Sequence, residues 1–209
     1  MRPDIVLAID TSAAHCAAAL LFGHREPGLK ATRKIISRCE GMAKGQAERL
    51  PVLVADLLHD AKVGWPDITL LAVGVGPGNF TGIRIAVAYV RGLALGLGIP
   101  AKGVTLFEAV VMASGGSRFP YWTVIDAPRG AVYAQRFPQG AACILDAEES
   151  VPDDAPKLRL SDLSGEQVIK AIAEHAHRSP TNPDSRPAPF YLRGPDAAPP
   201  RDPPPVILP

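Results

Sequence analysis

The chain has 209 residues, 47% of them hydrophobic and 21% charged, with a formal net charge of +1. That size and apolar content suit one large domain or two small ones, and the near-neutral balance argues against a protein that grips a nucleic-acid backbone unaided. Cys16, Cys39 and Cys143 are scattered without a CxxC spacing, which leaves no disulfide framework or cysteine zinc site and fits a reducing cytosol.

The first element is a continuous apolar run from Ile5 to Ile9, stopped by Asp10. It is too short for a signal-peptide core or a membrane span, so a soluble, cytoplasmic chain is expected. A run with no polar alternation predicts a strand buried on both faces. Asp10-Thr11-Ser12 makes a polar turn, and the apolar stretch from Cys16 to Phe22 returns as a hairpin partner. A third strand is expected near Ile35 to Arg38. Leu50, Leu53, Val54, Leu57 and Leu58 then fall at helical spacing, with Pro51 marking a kink or a first turn. Leu70 to Val75 predicts another strand. It runs into Gly76-Pro77-Gly78-Asn79-Phe80-Thr81-Gly82 and a helix of small residues from Gly82 to Leu97. The apolar run of that helix is broken by Arg91 and glycines. Phe107 to Ala113 and Leu163 to His177 predict two further helices. Strands are expected at Trp122 to Ile125 and Val132 to Phe137, around a turn at Ala127-Pro128-Arg129-Gly130. Half of the 22 prolines lie from Pro180 onward, which predicts an extended or mobile terminus. The order of strands and helices is that of an α/β fold.

Two segments carry candidate chemistry. Gly76 to Gly82 joins a buried strand to a helix start, where exposed N–H groups suit an anion. On chemistry alone the favoured reading is a tight turn with Thr81 as N-cap, since glycine-rich turns are common without ligands. It is not a Walker loop, because no Gly-Lys-Ser/Thr follows. Asp10, at the end of a buried strand, either holds a metal–phosphate group or bonds its own turn with Thr11 and Ser12. The histidines do not gather: His15, His24 and His59 are far apart, and His175 and His177 sit two residues apart on a helix, a poor metal pair. No Gly-x-Ser-x-Gly nucleophile motif is present.

These residues resemble a known family. Leu7-Ala8-Ile9-Asp10-Thr11-Ser12 is similar to the opening of TsaB proteins, and Gly74 to Arg84 to their most diagnostic segment, with Asn79 where Ser is usual. Gly103 to Ala109, Ile125 to Tyr133 and Phe190-Tyr191-Leu192-Arg193 resemble later blocks in the same order. Gln46, Pro128 and Ala131 depart from the usual residues.

The resemblance implies a two-lobed actin, Hsp70 and sugar-kinase-like (ribonuclease H-like) fold with a reduced second lobe. The expected boundaries are 1–103, 104–193 and a proline-rich tail at 194–209. It implies a scaffold that pairs with the catalytic paralogue TsaD and, with the ATPase TsaE, serves threonylcarbamoylation of adenosine 37 in ANN-decoding tRNAs. The tRNA would be met through the complex, and a homodimer would form when the chain is alone. No intrinsic cofactor or metal is expected, with ATP or ADP placed at the complex interface. Candidate nucleotide-facing residues are Asp10, Thr11, Ser12, Gly76, Gly78, Asn79 and Thr81. The implied interface is a helix bundle, with candidates Leu50, Leu53, Val54, Leu57, Ile85, Ala86, Tyr89 and Leu93. Where the paralogue carries two metal-binding histidines, this sequence has Leu106 and Val110, which cannot ligate a metal. The competing expectation is a small nucleotide-binding kinase or ATPase of the same superfamily.

Overall fold

The first strand, β1 (Asp4–Asp10), is buried along nearly its whole length because helices cover both faces of its sheet. Ile5, Leu7 and Ile9 point to one helical layer, while Val6 and Ala8 point to the other. That two-sided burial is the physical reason for an apolar run without alternation. β1 pairs antiparallel with β2 (His15–Gly23), which pairs antiparallel with β3 (Lys34–Gly41). On the opposite edge β4 (Leu70–Gly74) and β5 (Ala101–Val104) run parallel to β1, giving the order β3-β2-β1-β4-β5. The computed structural model describes residues 4–23, 33–115, 120–180, 182 and 186–193. His24 and the tail at 194–209 lie outside the described residues.

One face of this sheet carries α1 (Gln46–Ala61) and α2 (Phe80–Leu97). The leucine spacing of α1 places Leu50, Leu53, Val54 and Leu57 on the sheet, each fully buried. Pro51 lies past the first turn on the exposed side, where the carbonyl it leaves unbonded can meet water. α2 begins two residues earlier than the pattern predicts. Asn79, not Thr81, is its N-cap: the Asn79 side chain accepts from the Gly82 N–H at 2.8 Å. Gly98 in the left-handed region ends it.

The other face carries α3 (Leu106–Ala113) and α4 (Gly165–Arg178), each opened by a reciprocal capping box, Thr105 with Glu108 and Ser164 with Gln167. Val168, Ile169, Ile172 and Ala173 of α4 pack against Ala17, Ala19 and Leu21 of β2 in one cluster. The expected lobe boundary at 103/104 therefore does not follow the packing of α4. It returns to the first sheet because its strongest apolar stripe is needed to cover that sheet's second face. The second sheet is small: β8 (Cys143–Leu145), β7 (Val132–Phe137), β6 (Tyr121–Asp126) and β9 (Lys157–Arg159) in that order, with β8 and β9 only three residues each. The architecture is the two-lobed, ribonuclease H-like α/β fold with a reduced second lobe.

Candidate functional site

The β1–β2 turn and the loop before α2 are clamped together by backbone contacts. Thr11 Oγ1 donates to the Gly82 carbonyl at 2.6 Å, and the Asn79 N–H donates to the Ser12 carbonyl at 2.7 Å. The glycines are there because the backbones touch. A Cβ at Gly82 would stand 1.9 Å from the Thr11 carbonyl oxygen, and one at Gly78 would stand 2.4 Å from that of Ser12. Gly76, at φ 99, takes a conformation that side chains resist.

Beyond this clamp a cleft of about 610 Å³ opens between the two sheets, within the ordinary range for a small-molecule site. Of the seven candidate residues, Asp10, Ser12, Gly78 and Asn79 line it. Thr11 and Gly76 lie behind it, and exposed Thr81 faces a different groove beside the start of α1. Its remaining walls come from both lobes and include Leu106, Ile125, Asp126, Tyr133 and Leu163; none of the described lining residues is lysine or arginine.

Asp10 is fully buried and both its oxygens are engaged. Oδ1 accepts from the Ser12 N–H at 3.2 Å; Oδ2 accepts from Ser12 Oγ at 3.0 Å and from His15 Nε2 at 2.7 Å. His15 is the residue that sequence reading passed over as one of several scattered histidines. The available signal was its place at the start of β2, directly across the turn from the end of β1, where it shares the buried end of the sheet with Asp10. Its ring also packs on Gly165, where an added Cβ would lie 3.2 Å from Nδ1. Burial pulls the His15 pKa down, but the hydrogen bond and charge of Asp10 outweigh it, and the net shift is upward. Because the folded value lies above the ordinary 6.5, the pair contributes its full stability below about pH 6.5 and loses it as pH rises through the raised folded value. Urea midpoints across that range should show wild type ahead of His15→Asn at low pH, with the gap closing at high pH. Burial raises the thiols of Cys16, to about 11, and of Cys39, so neither is a ready nucleophile.

Two distant sequence motifs meet on the flank of α2. The Arg84 guanidinium lies 3.7 Å from the Phe80 ring centroid, and its Nε donates to the Tyr191 hydroxyl at 2.9 Å. The Phe190 N–H donates to the Val75 carbonyl at 2.8 Å, and its ring stands edge-on to Phe107. Residues 186–193 form neither helix nor strand; the Phe190 backbone bond and the aromatic contacts of Phe190 and Tyr191 hold them against the first sheet and α2. Tyr191→Phe, which keeps the ring and removes the hydroxyl, should cost ~0.5–1 kcal/mol in urea unfolding because the site is half open to solvent.

The interface candidates separate cleanly. Leu50, Leu53, Val54, Leu57 and Ala86 are fully buried in this chain. They face the sheet and have no surface to offer a partner, since the more apolar side of an amphipathic helix buries first. Ile85, Tyr89 and Leu93 are half-buried. The outer face is made by Val52 (49% exposed) on α1, and by Ala88, Gly92 and Leu95 (85% exposed) on α2.

With this geometry in view, the comparisons with known proteins are consistent. The family described as "TsaD: tRNA N6-adenosine threonylcarbamoyltransferase" matches residues 38–198. The chain is 32% identical to the Escherichia coli tRNA threonylcarbamoyladenosine biosynthesis protein TsaB over 170 residues, covering 78% of this chain and 69% of that one. It is also 32% identical to the Bacillus subtilis TsaB over 150 residues, covering 71% and 60%. Among solved structures, YeaZ from Pseudomonas aeruginosa superposes with a TM-score of 0.68 at 25% identity, covering 90% of this chain and 100% of that one. Sequence identity and superposition therefore agree that the chain belongs to the TsaB (YeaZ) family of tRNA threonylcarbamoyladenosine biosynthesis proteins.

Proposed function

We propose that the chain is a non-catalytic subunit of tRNA threonylcarbamoylation at adenosine 37, pairing with a catalytic TsaD-like paralogue and recruiting a TsaE-like ATPase. The outer face of α2 carries this reading. α2 is 18 residues long and apolar enough in composition to cross a membrane, yet only 28% of it is buried. It is instead a crossover helix between parallel strands β4 and β5, packed on the sheet along one side only. Along its exposed side Ala88, Gly92 and Leu95 form an apolar patch bordered by exposed Arg84 and Arg91 and by half-buried Ile85, Tyr89 and Leu93. Small residues let a second helix approach closely, and an apolar strip of this kind marks an association surface.

The start of α3 supports the non-catalytic part. By the resemblance, Leu106 and Val110 take the positions of the paralogue's metal-binding histidines; both are buried. Glu108 between them turns its carboxylate to the Thr105 N–H and hydroxyl, each at 2.8 Å, as a helix cap. Its other oxygen lies 3.5 Å from His175. With a net charge of +1, the chain meets tRNA through its partners rather than alone. Alone, it pairs with itself through the same strip.

The test is reconstitution. Cognate TsaD-like and TsaE-like proteins, a threonylcarbamoyl-adenylate synthase and an ANN-decoding tRNA are combined, and modified adenosine is measured with and without this chain. A requirement for the chain, with no ATP turnover by the chain alone, is the expected result. Equal modification in its absence would overturn the subunit reading.

A further inference from the structure

Nucleotide-binding proteins of this fold use an aspartate at the end of the first strand to face a metal ion and phosphates; the residues here do not fit that group. Of the roughly four lone-pair sites on the Asp10 carboxylate, three accept from donors of the chain itself, at 2.7 to 3.2 Å, and the side chain has no exposed surface. A metal ion binds a carboxylate only where it can displace water from a free oxygen lone pair in an open coordination position. His15 lines the cleft beside Asp10, and its own side chain is only 12% exposed. Its hydrogen bond at 2.7 Å takes up an Oδ2 lone pair that a cation would use. Nor does the cleft supply the cations that a polyphosphate needs. Its described lining has no lysine or arginine, and it has a second carboxylate, Asp126, exposed at the rim. At the start of α2, the Asn79 cap on the Gly82 N–H and the bond of the Asn79 N–H to Ser12 take up two of the donors an anion would use.

We infer that the cleft is a site for a phosphate-free ligand: His15 has taken the place of the metal ion on Asp10, and the chamber fits a neutral or cationic molecule of about nucleoside size. Leu106, Ile125, Leu160 and Leu163 give it apolar walls for a flat or branched group. Asp126 and the Ser161 hydroxyl, at the opposite lobe's rim, suit a hydrogen-bond donor or an ammonium. The volume of about 610 Å³ accommodates such a molecule, and repulsion from Asp126 with no lysine or arginine among the described lining residues disfavours a triphosphate. The inference concerns the inter-lobe cleft and stands apart from the partner face of α2.

The experiment uses two probes that differ in the triphosphate, adenosine and Mg²⁺-ATP, titrated into the isotope-labelled full chain and followed by amide chemical shifts. Adenosine at millimolar concentration should shift the amides of Gly78 and Asp126, and Mg²⁺-ATP should bind at least tenfold more weakly. Ser161→Trp, an exposed change at the rim, should abolish the adenosine shifts while leaving the remaining spectrum in place. Mn²⁺ alone should broaden the amides of Ser12 and Gly74 in His15→Ala, where Asp10 is uncovered, and not in wild type. Mg²⁺-ATP binding as tightly as adenosine, no shift with either probe, or equal Mn²⁺ broadening in both proteins would overturn the inference. None of these readouts involves tRNA or a partner, so they fail or succeed independently of the subunit reading.

Discussion

Gly82→Ala is expected to cost the fold ~3–5 kcal/mol, a large share of the stability of an ordinary domain. The reason is local and steric. The added methyl carbon would sit 1.9 Å from the Thr11 carbonyl oxygen and 3.0 Å from its carbon. Both are backbone atoms, so no rotamer change relieves the overlap. The two chains cannot simply separate, because Thr11 Oγ1 donates to the Gly82 carbonyl and Asn79 donates to Ser12 on either side of the contact. Relief requires moving the start of α2 away from β1, which also disturbs Ile83 in the core. Gly96→Ala is the control. Nothing lies within 4 Å of its Cβ position, and it is exposed in the same helix. There the methyl reduces unfolded-state freedom and should add ~0.5–1 kcal/mol. Urea midpoints at unchanged slope measure both. A loss below ~1 kcal/mol for Gly82→Ala would mean that the loop and turn are not clamped as described.

The same loop shows what a sequence can and cannot disclose. Its glycines and proline are legible as punctuation between a strand and a helix. Whether they cradle a ligand or allow two backbones to touch depends on Thr11 and Ser12, some seventy residues away. That non-local contact also moved the helix start from Gly82 to Phe80: Asn79 and Thr81 are both good caps, and the docking of Asn79 on Ser12 decides between them. β1 and the leucine face of α1 were readable because burial on both faces of a sheet, or on one side of a helix, leaves a strong periodic signature. The small residues of α2 were legible as a run open to a second helix, but which of them face outward was not: Ala86 is buried and Ala88 exposed, and only the packing of α2 on the sheet separates them. His15 was hidden for a third reason. Its partner lies five residues away across a turn, and only the antiparallel register of β1 and β2 brings the imidazole onto the carboxylate. The C-terminal block from Phe190 to Arg193 was recognisable as a motif, but its purpose is visible only where Tyr191 meets Phe80 and Arg84.

Ala88→Glu should abolish capture of the catalytic paralogue while leaving the chain folded. Ala88 is exposed in the middle of α2, four residues after Arg84 and three before Arg91. A glutamate there has a basic neighbour one turn away on either side and no acidic residue on the helix to repel it, so helix stability should change by no more than a few tenths of a kcal/mol. In a helix–helix interface the consequence is different. On the proposed interface Ala88 and Gly92 are small, and a glutamate at position 88 would both wedge the helices apart and bring a carboxylate into a desolvated surface. A weakening of roughly 100-fold or more, about 3 kcal/mol, is the expected scale for a central interface position. Ile144→Glu, an equally drastic change at an exposed position on β8 of the smaller lobe, should leave capture unchanged. Co-purification with the tagged paralogue, followed by calorimetric titration of each variant, reads both results. Retained affinity in Ala88→Glu would remove α2 from the interface, while loss in Ile144→Glu alone would move the partner to the second sheet. Loss of the isolated chain's self-association in Ala88→Glu, measured by sedimentation, would show that one strip serves both pairings, so that the partner must displace a second copy of this chain in order to bind.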